Sequence, residues 1–138
     1  MIRLVVVFIV ASAAASLGIF ARRLRDAPTQ SAYAVPTQLD RADFSQPSSP
    51  WLVVVFTSAT CRTCADLEAK ARVLESRSVA IHIAEFSAQR ALHKRYNIEA
   101  VPTLLLANSN GVVRQSFVGP VTATELWAAL ARVREEAL

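Results

Sequence analysis

Trp51-Leu52-Val53-Val54-Val55-Phe56-Thr57-Ser58-Ala59-Thr60-Cys61-Arg62-Thr63-Cys64-Ala65 contains both cysteines of the 138-residue chain. Its first half is a short apolar, β-branched run ending at Thr57, the pattern of a buried strand over residues 52–57. Its second half opens residues 61–76, where Leu67, Ala71 and Leu74 recur at helical spacing. A Cys-x-x-Cys pair at a strand-to-helix turn suggests redox chemistry. The unpaired N–H groups of a helix start would favour a thiolate on the first cysteine. Two cysteines are too few for a disulfide scaffold. They leave three roles open: a catalytic dithiol, half of a metal site, or a local staple.

A structural metal needs about four ligands. The two histidines are His82, in a predicted strand, and His93, between Leu92 and Lys94 in a predicted helix. Neither has ligand spacing to the cysteines. His82 reads as a strand-face residue and His93 as a solvated helix residue, so no metal is expected. There is no glycine-rich phosphate loop, since the chain has three glycines. Glu85 and Glu99 stand near predicted strand ends and read as partners in exposed salt bridges.

Downstream, residues 79–86 read as a strand, and Ser87 as the N-cap of a helix to residue 96 with Ala91 and Leu92 on its apolar side. Residues 103–107 form a third strand, apolar throughout and therefore central. Asn108-Ser109-Asn110-Gly111 is a turn, and residues 112–118 pair back as a hairpin. Thr122-x-x-Glu125 is a capping box opening a last helix, with Leu126, Leu130 and Val133 on one face and Trp127 beside it. Asp66/Lys70 and Glu68/Arg72 are i,i+4 pairs on the outer face of the first helix. Strands alternating with helices and closing on a hairpin imply an α/β sheet with helices on both faces.

The remaining sequence divides in two. Residues 4–21 carry no charge and just suffice to cross a bilayer as a helix. Residues 1–25 therefore read as a single-pass N-terminal transmembrane anchor with a basic flank, Arg22, Arg23 and Arg25. A cleaved signal peptide, with Ala11-Ser12-Ala13 or Ala13-Ala14-Ala15 as its cleavage site, is the competing reading. The three arginines outweigh Arg3 and favour a cytoplasmic domain; an extracytoplasmic or secreted domain is the alternative. The net charge of +4 is explained by this flank, and no aromatic-basic interleaving points to nucleic acid. Residues 26–50, with Pro28, Pro36, Pro47 and Pro50, read as a flexible linker. Within it, Leu39 and Phe44 are candidates to dock on the domain edge. Residues 51–138 are the domain, expected to be monomeric.

With these elements in order, residues 51–137 resemble the thioredoxin family. The resemblance rests on the strand into Cys61-x-x-Cys64, the following helix, Val101-Pro102-Thr103 ahead of an apolar strand, and Val118-Gly119 after the hairpin. It implies a thioredoxin-like fold with a central mixed sheet flanked by helices. It also implies a cis bond before Pro102, with the Val101 backbone, Pro102 and Gly119 forming the substrate-binding side. A strand-opening proline without a functional part is the plainer reading of Pro102.

The activity implied is thiol-disulfide exchange with protein substrates, Cys61 as nucleophile and Cys64 as resolving thiol. Arg62 and Thr63 would modulate them. No cofactor is expected beyond the redox-active Cys61–Cys64 disulfide. A thioredoxin reductase or a membrane electron donor would be the redox partner. The sequence departs from the family at Arg62-Thr63 (usually Gly-Pro), at Thr60 (commonly Trp), at Val55 (a buried Asp) and at Ile83 (its Lys partner). These departures leave a non-catalytic binding module of the same fold as the alternative.

Overall fold

The computed structural model describes residues 33–136. The proposed membrane segment, residues 4–21, lies outside them. Among the described residues no helix is long and apolar enough to cross a membrane.

Strand β1 (Trp51–Thr57) is buried along its whole length. It pairs in parallel with β2 (Val79–Glu85) on one side and antiparallel with β3 (Thr103–Asn108) on the other. The hairpin partner β4 (Val113–Val118) completes a mixed sheet in the order β2-β1-β3-β4. The continuous apolar runs of β1 and β3 belong to its two central strands, covered on both faces. Alternation sorts their side chains. Trp51, Val53, Val55, Leu104 and Leu106 face one layer, and Leu52, Val54, Phe56, Leu105 and Ala107 face the other.

The first layer holds α1 (Cys64–Arg72) and α3 (Ala123–Glu135). Leu67 and Ala71 of α1, and Leu126, Ala129, Leu130 and Val133 of α3, complete that core. The capping box opens α3 as expected: the Thr122 hydroxyl accepts the Glu125 N–H at 3.2 Å, and the Glu125 carboxylate accepts the Thr122 N–H at 2.9 Å. Asp66 and Lys70 pair at 2.5 Å, and Lys70 also donates to the Val121 carbonyl at 3.0 Å.

The second layer holds the short helix α2 (Arg90–Arg95) and a segment that was expected to be linker. Over residues 33–50 the chain is a strap belonging to the domain. Its 3-10 turn (Arg41–Asp43) is flanked by buried Leu39 and Phe44. Burying each of these side chains contributes about 1.5–3 kcal/mol toward ordering a segment whose composition reads as connector. Backbone bonds seal it: the Leu39 N–H donates to Gly111 O at 2.8 Å and the Val113 N–H to Thr37 O at 2.9 Å. Arg41, 8% exposed, donates to the carbonyls of Ser49, Asn108 and Gln46 at 3.0, 3.0 and 3.1 Å. The domain boundary expected at residue 51 therefore lies earlier.

Three local expectations are corrected. Helix α1 starts at Cys64 rather than Cys61; Cys61 belongs to the preceding turn, its N–H donating to Ser58 O at 3.0 Å. It ends at Arg72 because tight turns, Leu74 N–H to Ala71 O and Glu75 N–H to Arg72 O, replace the helical ladder. Helix α2 starts at Arg90 with Gln89, not Ser87, as its N-cap. His93 is 3% exposed: its Nε2–H donates to the Ala84 carbonyl at 2.8 Å, and its ring meets Phe56 and Phe86 edge-on. His82 lies on the strand face as expected, accepting the Ser45 N–H at Nδ1 and bonding Gln89 through Nε2.

Candidate active site

The sheet register brings the expected site residues to one end. Phe56 pairs with Thr103, and Thr103 with Val118. The loop after β1, the Val101–Pro102 segment before β3 and Gly119 after β4 therefore share the C-terminal edge of β1. The Val101–Pro102 peptide is cis, and the Gly119 N–H donates to the Pro102 carbonyl at 2.8 Å. Gly119 has φ +92° with open space where a side chain would stand, so its backbone is left uncovered. Thr103 fixes the other side of the cis segment, its hydroxyl donating to Ala100 O at 2.8 Å.

Cys61 and Cys64 form a disulfide with their Cα atoms 5.4 Å apart. Their environments differ. Cys61 is partly exposed in the loop, whereas Cys64 is 2% exposed as the first residue of α1. No side chain caps this helix start, at Thr63, so its first N–H groups are left for an anion in front of them. The Thr63 hydroxyl lies 3.7 Å from Cys61 Sγ. Arg62 and Thr60 are exposed. Val55 and Ile83 are Cα partners on neighbouring strands, with Leu104 opposite Val55 on β3. The positions where the family pattern places an acid and its lysine are thus adjacent here, and aliphatic.

Two features of the site escaped the sequence reading. Glu85, expected to form an exposed salt bridge, accepts backbone N–H groups instead: Ala59 at 3.2 Å, in the loop before Cys61, and Ala88 at 2.9 Å. These bonds, that from Ala88 foremost, hold its carboxyl below the ordinary carboxylate range. A depressed folded-state value contributes stability above the ordinary pKa, and that contribution is lost as pH falls through the folded value. Glu85→Gln is expected to flatten the loss of stability below about pH 4.3. Unfolding midpoints of parent and variant from pH 5 to 2 would check this; parallel curves would contradict it. A glutamate ending a strand just before a turn was the available signal. The second feature is Phe86, whose N–H donates to Thr57 O at 2.9 Å. Its half-exposed ring stands at the same end, under the Arg90 guanidinium at 4.9 Å.

Among the described residues no His, Cys, Asp and Glu side chains gather as a metal-ligand set. A groove of about 850 Å3 between the strap and the end of α2 lies at the opposite edge, beside Ser109 and Asn110. Its charged groups are already paired, Arg95 with Asp40 and Asp43 at 3.3 and 3.0 Å.

A mixed α/β sheet with a cysteine pair at its central strand-helix turn, facing a cis-proline segment, defines a dithiol-disulfide domain. A family model described as the thioredoxin-like domain matches residues 37–134, and the chain belongs to that family. No curated protein matches the sequence. Among solved structures, the fold is similar to Deadhead, a germline-specific thioredoxin of Drosophila melanogaster (20% identity, TM-score 0.54, 62% of this chain and 83% of that one). It is also similar to thioredoxin-2, a component of the malaria parasite protein secretion machinery (15%, 0.53, 60% and 82%). A further malarial protein aligns over 61% of this chain and 97% of its own at 16% identity and TM-score 0.54. These likenesses concern the fold. The family and the cysteine pair together fit a thiol-disulfide redox function.

Proposed function

We propose that this domain exchanges disulfides with protein substrates, Cys61 attacking and Cys64 resolving. The observation that carries the reading is the unequal burial of the joined pair: Cys61 reaches solvent and Cys64 does not. In the reducing direction, the Cys61 thiolate attacks one sulfur of a substrate disulfide. A mixed disulfide forms and a substrate thiolate leaves, to be protonated by water. The Cys64 thiolate then attacks Cys61 Sγ, the mixed disulfide breaks, and the second substrate thiol departs. Two electrons pass to the substrate, and the protein is left with the Cys61–Cys64 bond. Run backwards, the same steps oxidise a dithiol. The Val101 backbone, Pro102 and Gly119 offer an extended substrate chain a partner beside the cysteines.

Redox equivalents are held in the cysteine pair itself, without a bound cofactor. A thioredoxin reductase or a membrane electron donor would recharge it. Residues 4–21 would tether the domain to a membrane with the site on the cytoplasmic side. Fusions at Leu138 to reporters active only inside or only outside the cell test that orientation, and outside-only activity would reverse it.

Arg62 adjoins the nucleophile but is exposed, so screening limits its effect. Arg62→Ala is expected to move the glutathione equilibrium toward the disulfide by no more than about fivefold. A shift toward the dithiol would contradict a thiolate-stabilising role.

The direct test of function is reduction of insulin by dithiothreitol. Acceleration by catalytic amounts of the protein is expected. A rate equal to dithiothreitol alone would favour the non-catalytic binding module that the aliphatic Val55 and exposed Thr60 allow.

A further inference from the structure

Thr57 is 1% exposed, and its Oγ1 has no hydrogen-bond partner among the described residues. Leaving a buried hydroxyl unpaired costs free energy, and such a group calls for an explanation. Thr103 on the neighbouring strand shows the ordinary solution: it is equally buried, yet its hydroxyl is bonded to Ala100 O. The other unpartnered atom, Arg41 Nε, belongs to a guanidinium already held by three carbonyls. Thr57 has no such alternative.

Its place in the sheet identifies what it faces. Val53 and Val55 point into the layer that holds α1, and strand alternation turns Thr57 the same way. On α1 the buried side chains are Cys64, Leu67 and Ala71, a single stripe. Leu67 and Ala71 pack with Val53 and Val55. The helix begins where β1 ends, so Cys64, at the head of the stripe, comes over the last residue of the strand. The strand partner of Thr57 is Glu85, whose carboxylate is held by the Ala59 and Ala88 N–H groups, and the next positions inward, Val55, Ile83 and Leu104, are aliphatic. Both Cys64 and Thr57 are shut off from water.

We propose that the Thr57 hydroxyl is the hydrogen-bond partner of the Cys64 sulfur when the disulfide is open. With the bond closed the hydroxyl is orphaned. When the bond opens, the sulfurs separate and Cys64, unable to reach solvent, turns to the unpartnered hydroxyl beneath it. Threonine remains neutral throughout. It donates to the Cys64 sulfur as that sulfur becomes a thiolate and attacks Cys61 Sγ; the Cys61–substrate bond breaks, and the proton that Cys64 gives up ends on the departing substrate thiolate. The hydroxyl thus takes over, without accepting a proton, part of what a buried acid would do in this pocket. Because the bond exists only in the open form, Thr57 favours the dithiol over the disulfide.

The kinetic part of this inference rests on the proposed exchange activity. Its thermodynamic part does not, and is read by equilibrating parent, Thr57→Val and Thr57→Ser with glutathione and quantifying trapped thiols by mass. Removing the hydroxyl at constant shape is expected to shift the equilibrium about three- to tenfold toward the disulfide, while Thr57→Ser stays within about twofold of the parent. Oxidised Thr57→Val should melt no lower than the oxidised parent, since it loses an unpaired group. If Thr57→Val does not fold, Thr57→Ala carries the same comparison. An unshifted equilibrium in the hydroxyl-less variant, or an equal shift in Thr57→Ser, overturns the inference. If the expected shift appears but the parent does not turn over insulin, the inference holds and the proposed function fails.

Discussion

Cys61→Ser is expected to bring insulin reduction down to the rate of dithiothreitol alone. The serine hydroxyl is not ionised near neutral pH, and Cys64, 2% exposed, cannot meet a protein disulfide in its place. Cys64→Ser should behave differently. The outer thiol can still attack, so in the absence of dithiothreitol one equivalent of substrate thiol is released and the reaction stops at the mixed disulfide. Both substitutions also remove the Cys61–Cys64 link. Closing so short a loop is worth about 2 kcal/mol in the chain-entropy model, so both should melt somewhat lower than the oxidised parent, by similar amounts. Equal stability with unequal chemistry separates the roles of the two sulfurs from their shared structural part. Full activity in Cys61→Ser would remove the nucleophile from the account.

The largest effect on stability is expected at Gly111, far from the cysteines. Its φ is +77°, and a Cβ there would lie 1.9 Å from the Leu39 carbonyl oxygen. That atom is backbone, in the strap that accepts and donates bonds across the hairpin. Gly111→Ala therefore cannot be relieved by turning a side chain; the strap has to lift. The left-handed conformation itself adds about 1–2 kcal/mol, and partial exposure of Leu39 adds a share of its 1.5–3 kcal/mol. A total loss of about 3–5 kcal/mol corresponds to a fall in melting temperature of roughly 15–30 °C for a domain of this size. The cysteine chemistry of the folded fraction should be unchanged. A variant that melts within a few degrees of the parent would show that residues 37–44 contribute little, and that the domain does begin near residue 51.

These two sites mark the limits of what the sequence displayed. The cysteine end was legible because its signals are local: an apolar run ending at Thr57, a Cys-x-x-Cys, and a proline opening the next apolar run. The Thr122/Glu125 capping box and the Asn-Gly turn were legible for the same reason, since each is satisfied by atoms a few residues away. The strap was not. Its anchors, Leu39, Arg41 and Phe44, are sparse among prolines and serines, and what buries them is more than 50 residues distant in part: Tyr96 accepts the Asp40 N–H at 3.0 Å. His93 failed for a related reason. Flanked by Leu92 and Lys94 in a helix of six residues, it has too short a periodic pattern to name its buried side, which is decided by Phe56 and Phe86. The helix starts three residues later than the sequence suggests, after a turn in which the Cys61 N–H donates to Ser58 O. That displacement matters to the chemistry. It leaves Cys61 partly exposed in the loop in front of the helix and puts Cys64 on the buried stripe.

Cys61 alone is expected to form the covalent bond to a substrate. Incubating the Cys64→Ser variant with a disulfide-bonded protein substrate and weighing the product by mass spectrometry under non-reducing conditions tests it most directly. A stable one-to-one adduct on Cys61, released by dithiothreitol and absent from the Cys61→Ser variant, is the expected result. No adduct from Cys64→Ser, or an adduct that persists when Cys61 is replaced, would contradict it.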